Sequence, residues 1–441
     1  FKPIGQASSA VRRFFPGDDD EREDIEKRQS PPMLVPASHY RPPVPPPLVQ
    51  NGQASFDSAG PFGGSFHRSH YDSAPHSPYS MPDNARAPDH DFSHPHEPEL
   101  TRPNTPSKYS RDELYVIVSQ VGEGTFGKVY KARNTVSGLH VALKRIRMET
   151  ERDGFPVTAM REIKLLQSLR HDNIVRLYEM MVSNGSVYMV FEYMDHDLTG
   201  VLSQSQFTFA DAHLKSLCEQ MLAGLAYLHH KGIIHRDIKG SNILVNNRGE
   251  LKLADFGLAR FYHKRRRSDY TNRVITLWYR PPELLFGTTV YGPEVDMWSA
   301  GCIMLELFTK RPVFQGNDEI HQLEFIFKIL GTPTQERWPG VSKLPWYELV
   351  KPKEAIPNHF RDLFRKWLSP AGLDLAEELL TFDPLHRVTA LQALEAPYFK
   401  AEAPSPAMPT GLSSLEGEWH ELETKRERAK KRRKVEGGTG Q

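Results

Sequence analysis

The alternation of apolar and polar residues begins only beyond about residue 110. Residues 1–110 are rich in Pro, Ser, His, Asp and Gly and show no sustained periodicity. A segment of this composition cannot bury enough apolar surface to offset the entropy lost on ordering. The pattern predicts a disordered tail over residues 1–110. Its proline run at residues 41–47 fits a solvated segment better than a polyproline ligand.

Strand-type alternation then appears around a glycine-rich turn. Residues 115–118, 128–133 and 140–144 predict three antiparallel strands, and the turn between the first two has the form Gly-x-Gly-x-x-Gly. That spacing alone is weak evidence, because dinucleotide-binding folds also use it. A dinucleotide fold requires a helix directly after the turn. Here a second strand follows, which favours a phosphate-binding loop between two strands.

A helix and a hairpin complete this first region. The helix opens at residues 153–156 and runs to about Leu169, with Glu162, Leu165, Leu166 and Leu169 on one face. A carboxylate on an apolar face needs a partner, and Lys144 on the third strand is the natural candidate. Apolar runs at 175–182 and 187–191 flank Asn184-Gly185, a strong hairpin signal. The region therefore predicts a five-stranded antiparallel sheet with one helix.

Helical periodicity dominates the remainder up to about Phe399. Residues 214–228 carry an apolar stripe, and residues 296–305 are apolar almost all round, as in a buried central helix. The predicted class is α+β with two lobes: a small sheet lobe with one helix and a large, mainly helical lobe. We place this domain at residues 111–400 and a C-terminal extension with a basic segment at residues 401–441.

Composition narrows the picture only a little. The hydrophobic fraction of 39% is enough for a large core, and the formal net charge of +1 identifies no partner. Two cysteines, Cys218 and Cys302, exclude a disulfide framework and suit a reducing compartment. We find no apolar run of about 18 residues, so we expect no membrane span.

The candidate chemistry lies in a polar loop between short apolar strands. Asp237, Lys239 and Asn242 follow one another at spacings of two and three, and Asp255 follows the second strand of a hairpin. Phosphoryl transfer needs a carboxylate to orient a hydroxyl, a cation on the phosphate, and oxygen ligands for Mg²⁺. All of these groups are present at the ends of this hairpin.

In this order and spacing, the motifs resemble those of protein kinases. The resemblance implies that ATP and Mg²⁺ are the cofactors. It implies that Asp237 orients the substrate hydroxyl and accepts its proton, while Lys239 neutralises charge on the transferred phosphoryl group. Asn242 and Asp255 would ligate Mg²⁺, and Lys144, held by Glu162, would grip the nucleotide phosphates.

Two further stretches resemble cyclin-dependent kinases. Residues 155–162 are similar to their cyclin-contacting helix, with Met160 and Ile163 expected partly on its outer side. Residues 191–198 and 270–283 resemble the transcription-elongation branch, whose members phosphorylate the heptad-repeat tail of RNA polymerase II. The resemblance implies a cyclin subunit, that tail as substrate, an upstream activating kinase, a nuclear location and no direct nucleic-acid contact.

Alternatives to this function remain open at the level of sequence. One is a related proline-directed kinase with splicing or cell-cycle substrates. Another is a nucleic-acid-binding scaffold that uses the basic tail.

The resemblance also implies further site residues. The glycine loop would contribute Gly122, Glu123, Gly124, Thr125, Phe126 and Gly127. The adenine and ribose pocket would be lined by Val121, Val129, Ala142, Phe191, Glu192, Met194, Asp197 and Leu244. Thr271 would be the activating phosphorylation site, with its phosphate bound by Arg161, Arg236 and Arg260. Val274, Ile275 and Arg280 would shape the substrate pocket, and Glu283 would pair with Arg387.

The sequence departs from the pattern of these kinases at two positions and carries two basic runs. Phe126 replaces the tyrosine of cell-cycle members, and Pro281 replaces the usual alanine before Pro282-Glu283. The run at residues 264–267 is usually a solvated face, but it could favour phosphorylated substrates. The run after Trp419-His420-Glu421-Leu422 indicates nuclear import or a solvated tail. By resemblance to the elongation branch, the His420-Glu421 pair and the polybasic helix after it would instead pack back against the nucleotide cleft.

Overall fold

A computed structural model describes residues 114–124, 127–147, 156–262, 269–426 and 429. The predictions for residues 1–110, Thr125, Phe126, the basic run at 264–267 and the basic residues beyond Arg426 lie outside these ranges. Within them, no helix combines the length and apolarity needed to cross a membrane.

The small lobe is a five-stranded antiparallel sheet, as predicted. Its strands are β1 Tyr115–Gly124, β2 Gly127–Asn134, β3 His140–Arg145, β4 Leu177–Ser183 and β5 Ser186–Glu192. They lie in the order β1-β2-β3-β5-β4. Alternation buries one face, where Ala132, Val141, Leu143, Met181 and Val190 pack together. The turn between β4 and β5 places Asn184 and Gly185 at positive φ, the conformation that a two-residue hairpin requires.

One helix, α1 (Val157–Ser168), packs against the sheet lobe. Met160 is 54% exposed, as expected for an outer position. The expectation that Ile163 shares that outer side is wrong, because Ile163 is only 8% exposed. It lies four residues after buried Ala159 and three before buried Leu166, and this spacing places all three on the inner face.

The large lobe is mainly helical. Its helices are α2 Leu198–Ser203, α3 Asp211–His230, α4 Pro282–Leu285, α5 Glu294–Thr309, α6 Glu319–Leu330, α7 Tyr347–Val350, α8 Phe360–Phe364, α9 Pro370–Leu379, α10 Ala390–Leu394 and α11 Pro397–Lys400. The central helix is α5, which is buried on all sides from Val295 to Leu307, as its apolar composition predicts. Cys218 and Cys302 are buried and unpaired, so no disulfide joins them.

Short strands position the polar loop at the base of the cleft. They are β6 His196–Asp197, β7 Ile233–Ile234, β8 Ile243–Val245, β9 Leu251–Leu253 and β10 Arg260–Phe261. Strands β6, β8 and β9 form one small sheet, and β7 pairs with β10. The loop between β7 and β8 and the segment after β9 therefore begin close to each other.

The C-terminal extension, residues 401–426, runs back over the large lobe. Lys215 on α3 donates to the Glu402 carbonyl at 2.9 Å, and Ala407 donates to the Ala212 carbonyl at 3.1 Å. Leu412 is fully buried. These contacts lead the extension towards β6 and the connection between the lobes.

Candidate active site

Three charged residues from three different elements meet in the cleft. Lys144 on β3 lies 2.8 Å from Glu162 of α1 and 2.9 Å from Asp255, which follows β9. Burial opposes the charged form of Lys144, but the charges of Asp255 and Glu162 outweigh burial and raise its pKa. The structure thus contains the predicted pair between Lys144 and Glu162.

The loop between β7 and β8 concentrates polar groups on Asp237. Lys239 Nζ lies 2.9 Å from Asp237 Oδ2. Asn242 Nδ2 donates to the Asp237 carbonyl at 2.8 Å and to Oδ2 at 2.9 Å. Asp237 is 7% exposed, and these contacts fix the orientation of its carboxylate at the edge of the cleft.

Thr276 belongs to this cluster, although the sequence analysis assigned it no role. Its hydroxyl donates to Asp237 Oδ1 at 3.0 Å and accepts from Lys239 Nζ at 3.3 Å. The arrangement shows that Asp237 Oδ1 is oriented to accept a hydroxyl and that an ammonium group stands beside that hydroxyl.

Asp296, at the start of α5, fixes the backbone of the same loop. Its carboxylate accepts the amides of His235 at 2.9 Å and Arg236 at 2.8 Å, and it contacts His229 Nε2 at 2.9 Å. Burial opposes its ionisation, but these hydrogen bonds outweigh burial and lower the pKa of Asp296. These hydrogen bonds stabilise an unusual backbone conformation, because Arg236 has a φ of 67°, which non-glycine residues seldom adopt.

Asn242 and Asp255 provide the oxygen atoms for a candidate Mg²⁺ site. Because Asn242 donates through Nδ2 to Asp237, its amide oxygen is left for another ligand. Burial opposes the ionised form of Asp255, but Lys144 outweighs it and lowers the pKa. Mg²⁺ is commonly bound by one or two protein oxygens together with phosphates and water. The donor set fits this ion, and the described residues contain no cluster of three or more His, Cys, Asp or Glu for another metal.

The residues predicted to line the nucleotide pocket come from neighbouring strands and the connection between the lobes. Ala142 pairs with Phe191 across β3 and β5, and Leu244 pairs with Asp197 across β8 and β6. Val121, Gly122, Glu123 and Gly124 lie on β1, Val129 on β2, Glu192 at the end of β5 and Met194 just beyond it. Met194 is almost fully buried, as is Phe191.

Gly127, where the glycine loop returns to β2, has no space for a side chain. Its φ is 148°, and a Cβ atom there would lie 1.9 Å from the Arg145 carbonyl. Glycine is therefore required at this position.

Asp197 has a role that the sequence analysis did not foresee. Oδ1 accepts the amide of Gly200 at 2.8 Å, and Oδ2 accepts the amide of Glu421 at 2.6 Å. The expected ribose-binding carboxylate therefore caps α2 and also holds the C-terminal extension. Only the similarity-based placement of the His-Glu pair near the cleft gave a sequence signal for this contact.

The arginines predicted to bind phosphate lie close to one another. Burial lowers the pKa of Arg260 to about 10, together with the positive charges of Arg236 and Arg161. Tyr291 links this cluster to Thr271: it accepts from Arg236 Nη1 at 2.9 Å and donates to the Thr271 carbonyl at 2.7 Å. Thr271 itself is exposed.

The predicted substrate-pocket residues form a tightly bonded turn. Arg280 Nε donates to the Val274 carbonyl at 2.9 Å, and its Nη2 donates to the Ile275 carbonyl at 3.1 Å. Its Nη1 pairs with Glu319 at 2.7 Å. Ile275 has a φ of 66°, which is strained for a β-branched residue and turns its carbonyl towards Arg280.

A buried ion pair anchors the end of this segment. Glu283 and Arg387 make two parallel contacts of 2.8 and 3.0 Å, as predicted. Both side chains are nearly inaccessible. Bidentate geometry of this kind fixes both position and orientation.

Comparison with known proteins shows that the chain is similar to protein kinases. A family model described as "Protein kinase domain" matches residues 115–399. The chain is 57% identical over 317 residues to CTD kinase subunit alpha of Schizosaccharomyces pombe, covering 72% of this chain and 54% of that protein. It is 46% identical over 361 residues to cyclin-dependent kinase C-1 of Oryza sativa subsp. japonica, covering 78% of this chain and 69% of that protein.

A solved structure is also similar. A chain of the yeast RNA Pol II CTD kinase CTDK-1 complex superimposes with a TM-score of 0.65 at 47% identity, covering 69% of this chain and 98% of that one. This chain thus spans about half the length of the first curated relative and nearly all of the solved chain.

Proposed function

Because this chain belongs to the protein kinase family, among its cyclin-dependent members, we propose that it is the catalytic subunit of a cyclin-activated serine/threonine kinase. Its proposed substrates are Ser/Thr-Pro sites in the heptad repeats of the RNA polymerase II C-terminal domain, and its proposed role is to promote transcription elongation. Protein kinases use ATP and Mg²⁺. The proposal that this chain does so rests on the residues in its cleft.

One observation carries the catalytic proposal: Asp237 already holds a threonine hydroxyl. Thr276 donates to it at 3.0 Å, with Lys239 beside the same oxygen at 3.3 Å. A substrate hydroxyl that replaces that of Thr276 would be oriented by Asp237 and would transfer its proton there. Lys239 would neutralise charge on the phosphoryl group as the bond to the leaving group breaks.

Lys144 would hold the nucleotide phosphates. Glu162 and Asp255 fix its ammonium group at 2.8 and 2.9 Å and keep it charged. Asn242 and Asp255 would hold Mg²⁺, which neutralises charge on the phosphates when bound. The assignment of Mg²⁺ binding relies on the side-chain oxygen atoms of Asn242 and Asp255, which come from two adjacent loops of one cleft.

Selectivity for proline after the acceptor follows from the bonding of Arg280. The carbonyls of Val274 and Ile275 are both occupied by this guanidinium group. A substrate residue with a backbone N–H would lose its hydrogen bond to water here without gaining a partner. Proline has no N–H and therefore loses nothing.

The proposed partners follow from exposed features and from the relatives. Met160 on α1 presents an exposed apolar side chain to a cyclin, and Thr271 is accessible to an upstream kinase. Relatives named as CTD kinase subunits and cyclin-dependent kinases support the cyclin and the polymerase tail. We propose a nuclear location, because the substrate is part of the transcription machinery.

The test is turnover by the purified chain with a cyclin, Mg²⁺-ATP and a heptad-repeat peptide. We expect phosphorylation that falls by about 10²–10⁴-fold in Asp237→Asn, because that variant loses the proton acceptor. A peptide with alanine after each acceptor serine is the matched substrate control and should react poorly. Equal rates on both peptides would refute proline selectivity, and unaltered turnover in Asp237→Asn would refute the catalytic assignment.

A further inference from the structure

Within the part of the chain that the structure describes, proline follows a serine or threonine at three places: Thr332, Ser369 and Ser405. A kinase that selects proline after the acceptor can modify such a residue only under two conditions. The hydroxyl must be accessible, and the backbone around it must be able to extend into a cleft. The three residues differ in both respects.

Thr332 and Ser369 use their hydroxyl groups to stabilise the fold. The Thr332 hydroxyl accepts the amide of Ile356 at 2.7 Å, and the Thr332 amide donates to the Ile356 carbonyl at 2.9 Å. The Ser369 hydroxyl caps α9, because it accepts the amide of Gly372 at 3.1 Å. It also donates to Glu402 at 2.7 Å. Neither residue can extend into a cleft without breaking these hydrogen bonds.

Ser405 lies in the C-terminal extension and meets both conditions. It is exposed, and its hydroxyl makes no hydrogen bond to a residue within the described ranges. Residues 405–409 form neither helix nor strand. A backbone hydrogen bond from Ala407 to the Ala212 carbonyl, at 3.1 Å, attaches this segment to the large lobe. Lifting the segment breaks that hydrogen bond and leaves α3 and α9 intact.

The residue after Ser405 is the one that the proposed substrate pocket selects. Pro406 has no backbone N–H, so it loses no hydrogen bond to water beside the Val274 and Ile275 carbonyls, which Arg280 already occupies. Proline also disfavours the helical conformation for the residue before it, which keeps Ser405 extended.

We propose that Ser405 is a phosphorylation site of this kinase, modified by a second copy of the chain. This inference rests on the proposed function for the preference for proline and for ATP as the phosphate donor. Lys215 holds the Glu402 carbonyl and Ala212 holds Ala407, so both ends of the segment stay on α3 of their own large lobe. The acting cleft therefore belongs to the other copy.

The reaction is a transfer of the γ-phosphoryl group to the serine. Ser405 Oγ of one copy bonds to the γ-phosphorus of ATP held by the other copy. The bond from that phosphorus to the oxygen that bridges to the β-phosphate breaks, and ADP leaves. The hydroxyl proton passes to Asp237 of the acting copy.

The test uses the native chain bound to cyclin as the enzyme and an isotope-labelled Asp237→Asn full chain as the acceptor, with Mg²⁺-ATP. Mass spectrometry of the labelled peptides assigns phosphate to single residues, and so separates Ser405 from the proline-directed sites outside the described ranges, which are Ser30, Ser77 and Thr105. We expect phosphate on Ser405, with rates at Thr332 and Ser369 at least about tenfold lower. Pro406→Ala in the acceptor should lower the rate at Ser405 by about tenfold, the loss expected for one unpaired backbone N–H.

A heptad-repeat peptide in the same reaction distinguishes this inference from the proposed function. Phosphorylation of the peptide without phosphate on Ser405 overturns the inference and leaves the proposed function intact. Phosphate on Ser405 without reaction of the peptide refutes the proposed substrate alone. Equal rates at Ser405 in the native and Pro406→Ala acceptors would also overturn the inference.

Dilution of the native complex tests whether a second copy is needed. Modification between two molecules requires an encounter, so the fraction of Ser405 phosphorylated in a fixed time should fall as the complex is diluted. A fraction that does not depend on concentration would show that each chain modifies itself, and would overturn the assignment to a second copy.

Discussion

Glu306 is a carboxylic acid buried inside the large lobe. It lies on α5, is 3% exposed, and accepts the hydroxyl of Tyr279 at 2.8 Å. Burial raises its pKa from the ordinary value of 4.5 to about 7. The contact links α5 to Tyr279. Tyr279 directly precedes Arg280, so the contact supports the backbone of the proposed substrate pocket.

The variant Glu306→Gln should change how stability depends on pH. Between pH 4.5 and about 7, folded Glu306 holds a proton that the unfolded chain releases, so stability falls as pH rises across this interval. A shift of this size corresponds to roughly 3 kcal/mol. Glutamine carries no such proton, so the variant should lose that slope and should be more stable than the native chain at pH 8. Urea unfolding from pH 5 to 8 measures this.

The control for this prediction is Glu354→Gln, which changes an exposed glutamate. It should leave the pH profile of unfolding unchanged. A Glu306→Gln profile that runs parallel to the native one would show that Glu306 is already ionised in the folded chain.

Site residues that lie close together in the sequence could be predicted, whereas contacts between residues far apart in the sequence could not. Asp237, Lys239 and Asn242 lie within six positions, so their motif could be recognised before their contacts were known. Thr276 reaches Asp237 across 39 positions, and Asp296 reaches Arg236 across 60. Neither contact leaves a local pattern, because only the fold brings these residues together.

At the scale of elements, α1 gives the clearest test of the cyclin interface. Met160 is exposed while Ile163 is buried, so Met160→Asp changes the surface and spares the core. We expect it to weaken cyclin binding by at least about tenfold, because a charge replaces an apolar contact. Titration with labelled cyclin measures the affinity, and circular dichroism checks the fold.

Leu391→Asp is the matched control for Met160→Asp. Leu391 is 69% exposed on α10 of the large lobe, and the change in charge is the same. This control should bind cyclin normally. Normal binding by Met160→Asp as well would remove this face of α1 from the interface.

The activation segment carries a second prediction, Thr271→Ala. Arg161, Arg236 and Arg260 lie near one another without a phosphate, and their mutual repulsion contributes to the lowered pKa of Arg260. Phosphorylated Thr271 would relieve this repulsion through several charge-assisted hydrogen bonds. We expect Thr271→Ala to reduce kcat by about tenfold or more after treatment with an activating kinase.

Asn272→Ala changes the neighbouring residue in the same segment and should activate normally. The measurement is turnover of the cyclin complex before and after phosphorylation. Full activity of Thr271→Ala would show that the arginine cluster does not act through this hydroxyl.

Element length decided which parts of the fold could be predicted. The five small-lobe strands, α1 and α5 are long enough to show a period, and the structure confirms them. Strands β6, β7 and β10 have two residues each, and α4 and α7 have four. Such short elements form because packing on the large lobe orients them, so their own sequence carries little signal.

At the scale of the whole molecule, side chains from distant parts of the chain join the two lobes. Within the cleft, Lys144 on β3 pairs with Asp255 of the large lobe. At the connection between the lobes, the extension adds the contacts of Glu418 with Lys131 and Tyr193. Sequence similarity indicated these only as a tail near the cleft. Glu418 gave no separate signal, since its partners lie 287 and 225 positions away.

Two truncations separate the contacts of Glu418 and Trp419 from the effect of the basic run. Ending the chain after Ser414 removes both, whereas ending it after Arg426 removes only the later basic residues. We expect the shorter chain to show a higher KM for ATP or a lower kcat with unchanged cyclin affinity, because the extension contacts β2, β6 and α2 whereas Met160 lies on α1. The longer chain keeps Glu418 and Trp419 and should retain the ATP affinity of the full chain. The KM for ATP of the longer chain can also rise at low salt, where charges act over longer distances. At about 0.5 M salt, charges are screened within a few ångströms. A rise at low salt that disappears at this salt concentration would show that the basic run acts on the nucleotide by charge. Steady-state kinetics of both truncations and the full chain measure this, and identical kcat and KM in all three would leave the extension with nuclear import alone.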